Sequence, residues 1–236
     1  MTYPAPGGAR ARRRQALRRT RPAVTTIVLD MGGVVIPTLF ERVRFPSFPS
    51  GPFSDAARPD ADYAKVEKGE MQERDYWARL AARHPELDIG ALWRDCSVVR
   101  EEVTGLLRRI GGRMRVTAFT NDMSHWFGPD WPARFPVLRE FDTILEASVL
   151  GVLKPDPAAF RAAAQALGEE PRRCLFVDDL AANLDGAAAI GMRTQLFDVR
   201  DAPGSMARIA ASLGLPPATA ARRVFAVPRG PEVIGR

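Results

Sequence analysis

Cysteine and long apolar runs are both scarce in this chain of 236 residues. Its two cysteines, Cys96 and Cys174, lie far apart in the sequence, and two are too few for a disulfide framework or a zinc site. We therefore expect reduced, buried thiols. No apolar stretch approaches the roughly 20 residues of a membrane-spanning helix, and no signal-like apolar segment follows a charged start. These absences predict a cytoplasmic protein with no membrane partner.

Acidic residues are absent from residues 1–22, which contain seven arginines. The net charge of the chain is +6, so the remainder carries 6 − 7 = −1. A segment rich in Arg, Pro, Gly and Ala has little to bury, which predicts a disordered basic tail. A polyanion-binding arm is the alternative. No aromatic residues alternate with these arginines to stack on bases, so nucleic acid is not an expected partner.

Apolar runs alternate with helical patterns from residue 113 onward, which predicts βαβ units and a parallel sheet flanked by helices. A largely helical insertion separates the first strand, which ends at Asp30, from this alternating part. The spacing of apolar residues over 91–110 predicts a helix that ends at Gly111. The predicted division is a tail (1–22), a core (23–37 and 105–215), a helical insertion (38–104) and a C-terminal extension without a strong signal (216–236).

Polar residues follow three of the predicted strands. Asp30 ends the first strand, Thr120 and Asn121 end the second, and the pair Asp178-Asp179 ends a later one. A lone acid in such a position is commonly a helix cap or a turn residue. Because parallel strands place their carboxyl ends at one edge of a sheet, where ligands bind, we expect all three groups to converge. Adjacent carboxylates repel each other, and a divalent cation with oxygen ligands relieves that repulsion.

Four segments in this order resemble the motifs of one large family: VLDMGGVV, AFTND, LGVLKPDP and FVDDLAANLDGAAAIGM. Over residues 25–215 the chain resembles the haloacid dehalogenase-like hydrolase superfamily. The similarity is to the subfamily with a helical cap inserted after the first motif, here in a variant with the pattern DxGGV. The resemblance implies an α/β, Rossmannoid core with a parallel sheet, and a mobile cap formed by the insertion.

The resemblance also implies roles for individual residues. Asp30 is the implied nucleophile, which takes up a phosphoryl group as an aspartyl-phosphate and so divides one difficult displacement into two easier ones. Lys154, in a loop bounded by Gly151 and Pro155, offsets negative charge. The implied cofactor is Mg²⁺ and the implied substrate a small phosphorylated metabolite. The implied phosphate-binding residues are Gly33, Thr120, Asn121 and Lys154; the implied metal ligands are Asp30, the backbone carbonyl of Gly32, Asp178 and Asp179, with Asn183 orienting them.

Position 32 departs from the family pattern. Phosphatases of this family have an aspartate two residues after the nucleophile, which protonates the leaving group and activates water. Gly32 keeps the backbone carbonyl and lacks the acid. General acid–base catalysis contributes about 10²- to 10⁴-fold, so we expect weakened activity unless another group substitutes. The candidate substitutes are Glu67, Glu70, His84 and Asp122.

Three alternatives remain open at this point. A catalytically inactive member would bind a phosphorylated ligand or a protein partner without turnover. A phosphonoacetaldehyde hydrolase also carries a small residue at this position and uses a cap lysine as a Schiff base, for which Lys65 and Lys68 are the candidates. A 2-haloacid dehalogenase works without metal and fits the Asp178-Asp179 pair poorly. The substrate, the oligomeric state and the role of the basic tail do not follow from the sequence.

Overall fold

The computed structural model describes residues 23–43, 60–215 and 232–234. The predicted basic tail (1–22), most of the irregular connection expected over 38–60 and most of the C-terminal extension lie outside these residues. Within them, no helix combines the length and the hydropathy that crossing a bilayer requires.

The strands of the described residues are β1 (Thr26–Leu29), β2 (Arg115–Thr120), β3 (Thr143–Glu146), β4 (Cys174–Asp178), β5 (Arg193–Leu196) and β6 (Glu232–Ile234). They form one sheet in which every neighbouring pair is parallel, in the order β5-β4-β1-β2-β3-β6. This confirms the predicted α/β class. The first strand in the sequence, β1, lies inside the sheet, between β4 and β2. Its apolar residues point to both faces, and helices must therefore cover both faces.

Helices cover both faces of the sheet and build two apolar clusters. Alternation along β1 places Ile27 and Leu29 in one cluster and Val28 in the other. The helices are α1 (Leu39–Arg42), α2 (Ala61–Glu67), α3 (Glu73–Arg83), α4 (Ile89–Cys96), α5 (Glu101–Ile110), α6 (Met123–Phe127), α7 (Ala147–Leu150), α8 (Pro157–Leu167), α9 (Ala181–Ala189) and α10 (Ala202–Ser212), with 3-10 turns at Trp131–Arg134, Pro136–Glu140, Pro171–Arg173 and Val199–Asp201.

The register of the central strands explains why the polar strand ends meet. Leu29 pairs with Ala118 on one side and with Val177 on the other. The backbone N–H of Asp30 continues this ladder by donating to the Val177 carbonyl at 3.0 Å. Asp30 therefore emerges beside Asp178, at the edge of the sheet where β2 also ends.

The described part of the insertion consists of α1 to α4, joined through aromatic side chains. The ring of Phe40 on α1 lies 4.8 Å from that of Tyr63 on α2 and 4.9 Å from that of Trp77 on α3. Trp77 in turn contacts Trp93 on α4 edge to face at 6.0 Å. These rings belong to the same apolar cluster as Leu29, so the insertion shares its core with one face of the sheet.

The helix predicted over 91–110 is wrong as one element, because the structure divides it into α4 and α5. Ser97 ends α4 by donating both its backbone N–H and its Oγ to the Trp93 carbonyl. Three residues later the N–H of Arg100 donates to the carbonyl of Val35 at 3.0 Å. The chain becomes extended here because it returns to the segment that follows β1. Apolar spacing continues through the break, since both helices bury a face.

Strand β6 was missed by the sequence analysis, which assigned no element to residues 216–236. Residues Glu232–Ile234 pair in parallel with Thr143–Leu145 of β3 and extend the sheet by one strand. The run is three residues long, too short for a clear alternation of apolar and polar positions.

Candidate functional site

Lys154 lies at the centre of the site, with its ammonium group between two carboxylates. Its Nζ is 2.8 Å from Oδ1 of Asp30 and 3.0 Å from Oδ2 of Asp178, and it also donates to the carbonyl of Phe119 at 3.2 Å. Only 2% of the lysine is exposed. The rings of Phe119 and Phe176 lie 5.5 and 5.3 Å from Nζ and separate it from water.

Burial and charge shift the pKa values of this group in opposite directions. Burial alone would lower the pKa of Lys154, but the carboxylates of Asp178 and Asp30 outweigh it and raise that pKa, so the lysine is charged at neutral pH. Burial raises the pKa of Asp30 to about 7, while the attraction of Lys154 opposes the rise. One ammonium group therefore faces more carboxylate charge than it can neutralise.

Asp179 adds a third carboxylate without a cation of its own. Among the described residues, no Lys or Arg forms an ion pair with it, whereas Asp30 and Asp178 both pair with Lys154. Burial, followed by repulsion from Asp178 and Asp30, raises the pKa of Asp179 well above its usual value. Ligand oxygens of these three aspartates lie within 4.8 Å of one another. An all-oxygen set with excess negative charge fits a hard divalent cation such as Mg²⁺.

Gly33 makes room for Asp179. Its φ is +77°, a backbone conformation that favours glycine. A Cβ at this position would lie 2.3 Å from the carboxyl group of Asp179, so any larger residue would displace that carboxylate. The second glycine of DxGGV is thus required by backbone geometry and by the approach of a carboxylate.

Asp178 is held by hydrogen bonds to both of its oxygens. Nδ2 of Asn183, at the start of α9, donates to Oδ1 at 3.1 Å and to Oδ2 at 3.0 Å. The backbone N–H of Leu180 also donates to Oδ1 at 2.9 Å. With Lys154 on Oδ2, Asp178 has few lone pairs left, and Asp179 is the freer of the two acids.

Asn121 connects the end of β2 to the lysine loop and to the insertion. Its Oδ1 accepts from the backbone N–H of Lys154 at 2.8 Å, and its Nδ2 donates to the Lys154 carbonyl at 3.2 Å. The same Nδ2 donates to Oε1 of Gln72 at 3.2 Å, and Nε2 of Gln72 donates to the Lys154 carbonyl at 3.1 Å. Thr120, one residue earlier, is buried at the strand end. The insertion is therefore closed onto the core beside the lysine.

A cavity opens above the carboxylates, between the sheet edge and the insertion. Asp30, Gly32, Thr120, Lys154 and Asp179 lie on the side of the core. The opposite side is mostly apolar and aromatic. It consists of Tyr63, Val66, Gly69, Met71, Gln72, Glu73 and Trp93 from the insertion, and Trp126 from α6.

Most of the proposed substitute acids lie away from this cavity. Glu67 and Glu70 are exposed, and the ring of His84 contacts Glu86 at 3.1 Å. Asp122 does line the cavity. Neither of the two candidate lysines lines it: Lys68 is exposed, and Nζ of Lys65 pairs with Asp62 at 2.8 Å.

Gln72 and Glu73 are cavity residues that the sequence analysis missed. They lie in a charged stretch, EKGEMQERD, that reads as a solvated helix surface. The one available signal was Gly69, which interrupts the helical pattern and turns the chain back toward the core. A Cβ on Gly69 would lie 2.8 Å from Pro155, which shows how closely this turn approaches the lysine loop.

The chain matches the sequence model of a known protein family, the haloacid dehalogenase-like hydrolases, over residues 24–191. Phosphatase MT3486 of Mycobacterium tuberculosis is 46% identical over 57 residues, 24% of this chain and 26% of that protein. Enolase-phosphatase E1 of Thioalkalivibrio sulfidiphilus is 51% identical over 45 residues, 19% of this chain and 20% of that protein. The matched part thus spans about a quarter or less of these two relatives' own length.

Solved structures show the same fold. A crystal structure of a dehalogenase with an intermediate complex aligns with a TM-score of 0.55 at 17% identity, and the alignment covers 85% of this chain and 99% of the other. At this identity the likeness concerns the arrangement of strands and helices alone.

Proposed function

Because the chain belongs to the haloacid dehalogenase-like hydrolase family, we propose that it is a Mg²⁺-dependent phosphatase that acts on a small phosphorylated metabolite through Asp30. The observation that carries this proposal is the buried cluster in which Lys154 bridges Asp30 and Asp178, next to Asp179, on the floor of a cavity. Two relatives that match short segments are named as phosphatases, which supports the same activity. We also propose that residues 23–37 and 105–215 form the catalytic core and residues 38–104 its cap.

The metal would be held by Asp30, Asp179 and the backbone carbonyl of Gly32, with Asp178 oriented by Asn183. When bound, Mg²⁺ supplies positive charge that stabilises the phosphoryl oxygens in the transition state. The excess of carboxylates over the single lysine supports this assignment.

The residues of the chain divide the displacement into two steps. An oxygen of Asp30 attacks phosphorus, the bond to the leaving oxygen breaks, and an acyl phosphate forms on Asp30. Lys154 holds the attacking carboxylate in place and offsets the charge of the phosphoryl group. The hydroxyl of Thr120 and the backbone N–H groups of Asn121 and Gly33 are the proposed donors to phosphoryl oxygens. Water then hydrolyses the acyl phosphate and restores Asp30.

The lining of the cavity supports a substrate with one phosphoryl group and a compact, largely uncharged remainder. Lys154 is the one Lys or Arg among the described residues that line the cavity. The side facing the insertion presents Tyr63, Trp93 and Trp126 instead. Indole Nε1 of Trp93 is buried without a hydrogen-bond partner in the described structure, so it is available to a polar atom of the substrate.

Phosphate release from p-nitrophenyl phosphate and acetyl phosphate, with and without Mg²⁺, tests the activity. We expect turnover that depends on the metal and is abolished in Asp30→Asn. Absence of turnover over a broad panel of phosphate esters and acyl phosphates, in a folded protein with Mg²⁺, contradicts the proposal.

A binding protein without turnover is the second candidate, and Gly32 is the observation that favours it. Such a protein gains thermal stability from phosphorylated ligands without releasing phosphate. Asp30→Asn then leaves that stabilisation nearly intact, because binding does not need a nucleophile. Measurement of ligand-induced melting shifts in both proteins distinguishes the two functions.

A further inference from the structure

An empty space lies where phosphatases of the family carry their acid. Gly32 lines the cavity, and a Cβ built on it would meet no described atom within 4 Å beyond its chain neighbours. Its φ is not among the positive values, so the backbone would accept a side chain. No steric reason therefore explains the absence of the acid at position 32. The leaving oxygen of a phosphate ester still needs a proton donor.

Among the described residues, four acids line the cavity: Asp30, Asp179, Asp122 and Glu73. The proposed function already uses the first two. Burial raises the pKa of Asp122, but Arg74, whose Nη1 lies 3.8 Å from its carboxylate, opposes that rise with a direct ion pair. Glu73 forms no ion pair with a described Lys or Arg; its Oε1 accepts a hydrogen bond from Nε1 of Trp77 at 3.1 Å.

The turn before Glu73 is tied to the core at the lysine loop, which fixes the start of α3 beside the cavity. Gln72, its neighbour, bonds to the Lys154 carbonyl and to Asn121. Gly69 packs against Pro155 on the same loop. Glu73 is the first residue of α3 and lines the cavity that Asp30 also lines. An acid on the cap thus faces the site from the side opposite the sheet.

The surroundings of Glu73 keep its proton near neutral pH. Burial raises the pKa of Glu73 to about 7, against the hydrogen bond from Trp77. Acids that work as general acid and base have pKa values near the working pH. Among the charged and titratable groups around Glu73, Asp122 and Asp178 raise its pKa and Lys154 lowers it. Glu73 in turn helps to raise the pKa values of Asp179 and Tyr63.

We propose that Glu73, on the cap, is the general acid and base that replaces the aspartate missing at position 32. The proposal rests on the proposed phosphatase function. As Asp30 attacks phosphorus, the carboxyl group of Glu73 transfers its proton to the leaving oxygen while the bond from phosphorus to that oxygen breaks. The resulting Glu73 carboxylate takes a proton from water as the water oxygen attacks phosphorus and the bond to Asp30 breaks. Asp30 and protonated Glu73 are both restored.

The test compares leaving groups in Glu73→Gln, with p-nitrophenyl phosphate as the good and phenyl phosphate as the poor one. We expect kcat/KM for phenyl phosphate to fall about 10²-fold or more, because its leaving oxygen needs the proton. For p-nitrophenyl phosphate kcat/KM should fall by no more than about threefold, since general acid catalysis matters little for a stable leaving anion. Glu70→Gln, exposed on the same turn, is the matched control and should change neither value.

Restoring the family residue provides a second arm. Gly32→Asp in the Glu73→Gln background should recover most of the loss on phenyl phosphate, because the space at position 32 is open. The decline of kcat/KM for phenyl phosphate above about pH 7 in the native protein should disappear in Glu73→Gln.

Equal losses on the two esters, no loss on either, or a selective loss in Asp122→Asn in place of Glu73→Gln would each overturn the role of Glu73. The underlying function is judged separately. Asp30→Asn must abolish hydrolysis of both esters, and if it does not, the nucleophile itself is misassigned.

Discussion

At the scale of single residues, Lys154 is what allows Asp30 and Asp178 to lie side by side in an apolar interior. Its two ion pairs are buried, with 2% of the lysine side chain exposed against 13% and 0% for the two aspartates. Breaking a buried pair costs much more than an exposed one, because a charge remains in a low-dielectric environment without a partner.

Lys154→Met is therefore expected to lower the free energy of unfolding by about 3–5 kcal/mol. Urea denaturation measures this loss. The double variant Asp30→Asn/Lys154→Met should lose less than the sum of the two single variants, with a coupling of about 1–3 kcal/mol, because the two residues share one interaction. Additive losses would show that the pair contributes little in the folded protein.

Gly33→Ala tests the close approach of Asp179. A positive φ costs a residue with a Cβ about 1–3 kcal/mol, and the clash with Asp179 adds displacement of a carboxylate. We expect loss of hydrolysis and of any stabilisation by Mg²⁺. Gly112→Ala is the matched control, since φ is +76° there and a Cβ meets no described atom within 4 Å. If both variants retain activity, Asp179 has no part in the site.

The convergence of the polar strand ends was predictable from the sequence, while the side of the cavity formed by the insertion was not. Asp30, Thr120 and Asp178 end apolar strands, and their convergence follows from the topology of a parallel sheet. Glu73 and Gln72 reach the cavity only because a turn docks onto the lysine loop. Apart from Gly69, nothing in their local sequence distinguishes them from neighbouring surface residues.

At the scale of elements, Arg100 connects the segment after β1 to the segment that leaves the insertion. Its Nη2 donates to Oε2 of Glu41 at 2.6 Å and to the Gly33 carbonyl at 3.0 Å, and its guanidinium lies 5.2 Å from the ring of Phe197. The arginine side chain is 8% exposed. Arg100 therefore links the segment that enters the insertion, through Glu41, and the segment that leaves it to the backbone of Gly33.

Arg100→Met should destabilise the protein by about 1–3 kcal/mol, because Glu41 and the Gly33 carbonyl lose their donor. Hydrogen exchange should accelerate in residues 31–41 before it does so in the strands, as local opening precedes global unfolding. Arg200→Met, which removes an exposed pair with Asp198, should change stability by less than about 1 kcal/mol. Similar effects of the two substitutions would contradict a special role of Arg100.

The division between α4 and α5 illustrates what local periodicity omits. Apolar residues continue at helical spacing from Leu92 to Ile110 because both helices bury one face. The break between them depends on a backbone hydrogen bond from Arg100 to Val35, a partner 65 residues away in the sequence. A window of local residues contains no trace of that partner.

At the scale of the whole molecule, the site contains several buried carboxyl groups, and their burial makes ionisation unfavourable. The pKa values of Asp30 and Glu73 are raised to about 7, and that of Asp179 is raised as well. The folded state therefore keeps protons that the unfolded chain releases between about pH 4 and 7. The sign follows directly: these groups lower the free energy of unfolding as the pH rises through that window.

Mg²⁺ should reverse part of this loss, and more strongly at higher pH, because a metal binds deprotonated ligands. We expect the increase in Tm at about 5 mM Mg²⁺ to be larger near pH 8 than near pH 5.5. Asp179→Asn should raise the metal-free Tm near pH 8 by about 2–4 °C, the equivalent of roughly 1 kcal/mol in a chain of this size, and reduce the effect of Mg²⁺. Differential scanning fluorimetry measures both, and equal Mg²⁺ shifts at the two pH values would contradict the metal assignment.

The overall architecture followed from sequence except at one edge. Alternating strand and helix patterns predict a parallel sheet, and the sheet is parallel throughout. The sixth strand has only three residues, and its place beside β3 is determined by pairing with Thr143–Leu145. Pairing across such a distance in sequence is not encoded in the composition of the short strand.

The two ends of the insertion lie next to each other, as the hydrogen bond from Arg100 to Val35 shows. Such a layout makes the insertion an exchangeable module, which recombination can replace without moving the strands that carry Asp30 and Thr120. If Glu73 supplies the proton, such a replacement would remove an acid together with the residues that contact the substrate. An acid at position 32, where a side chain has room, could then restore the lost proton transfer.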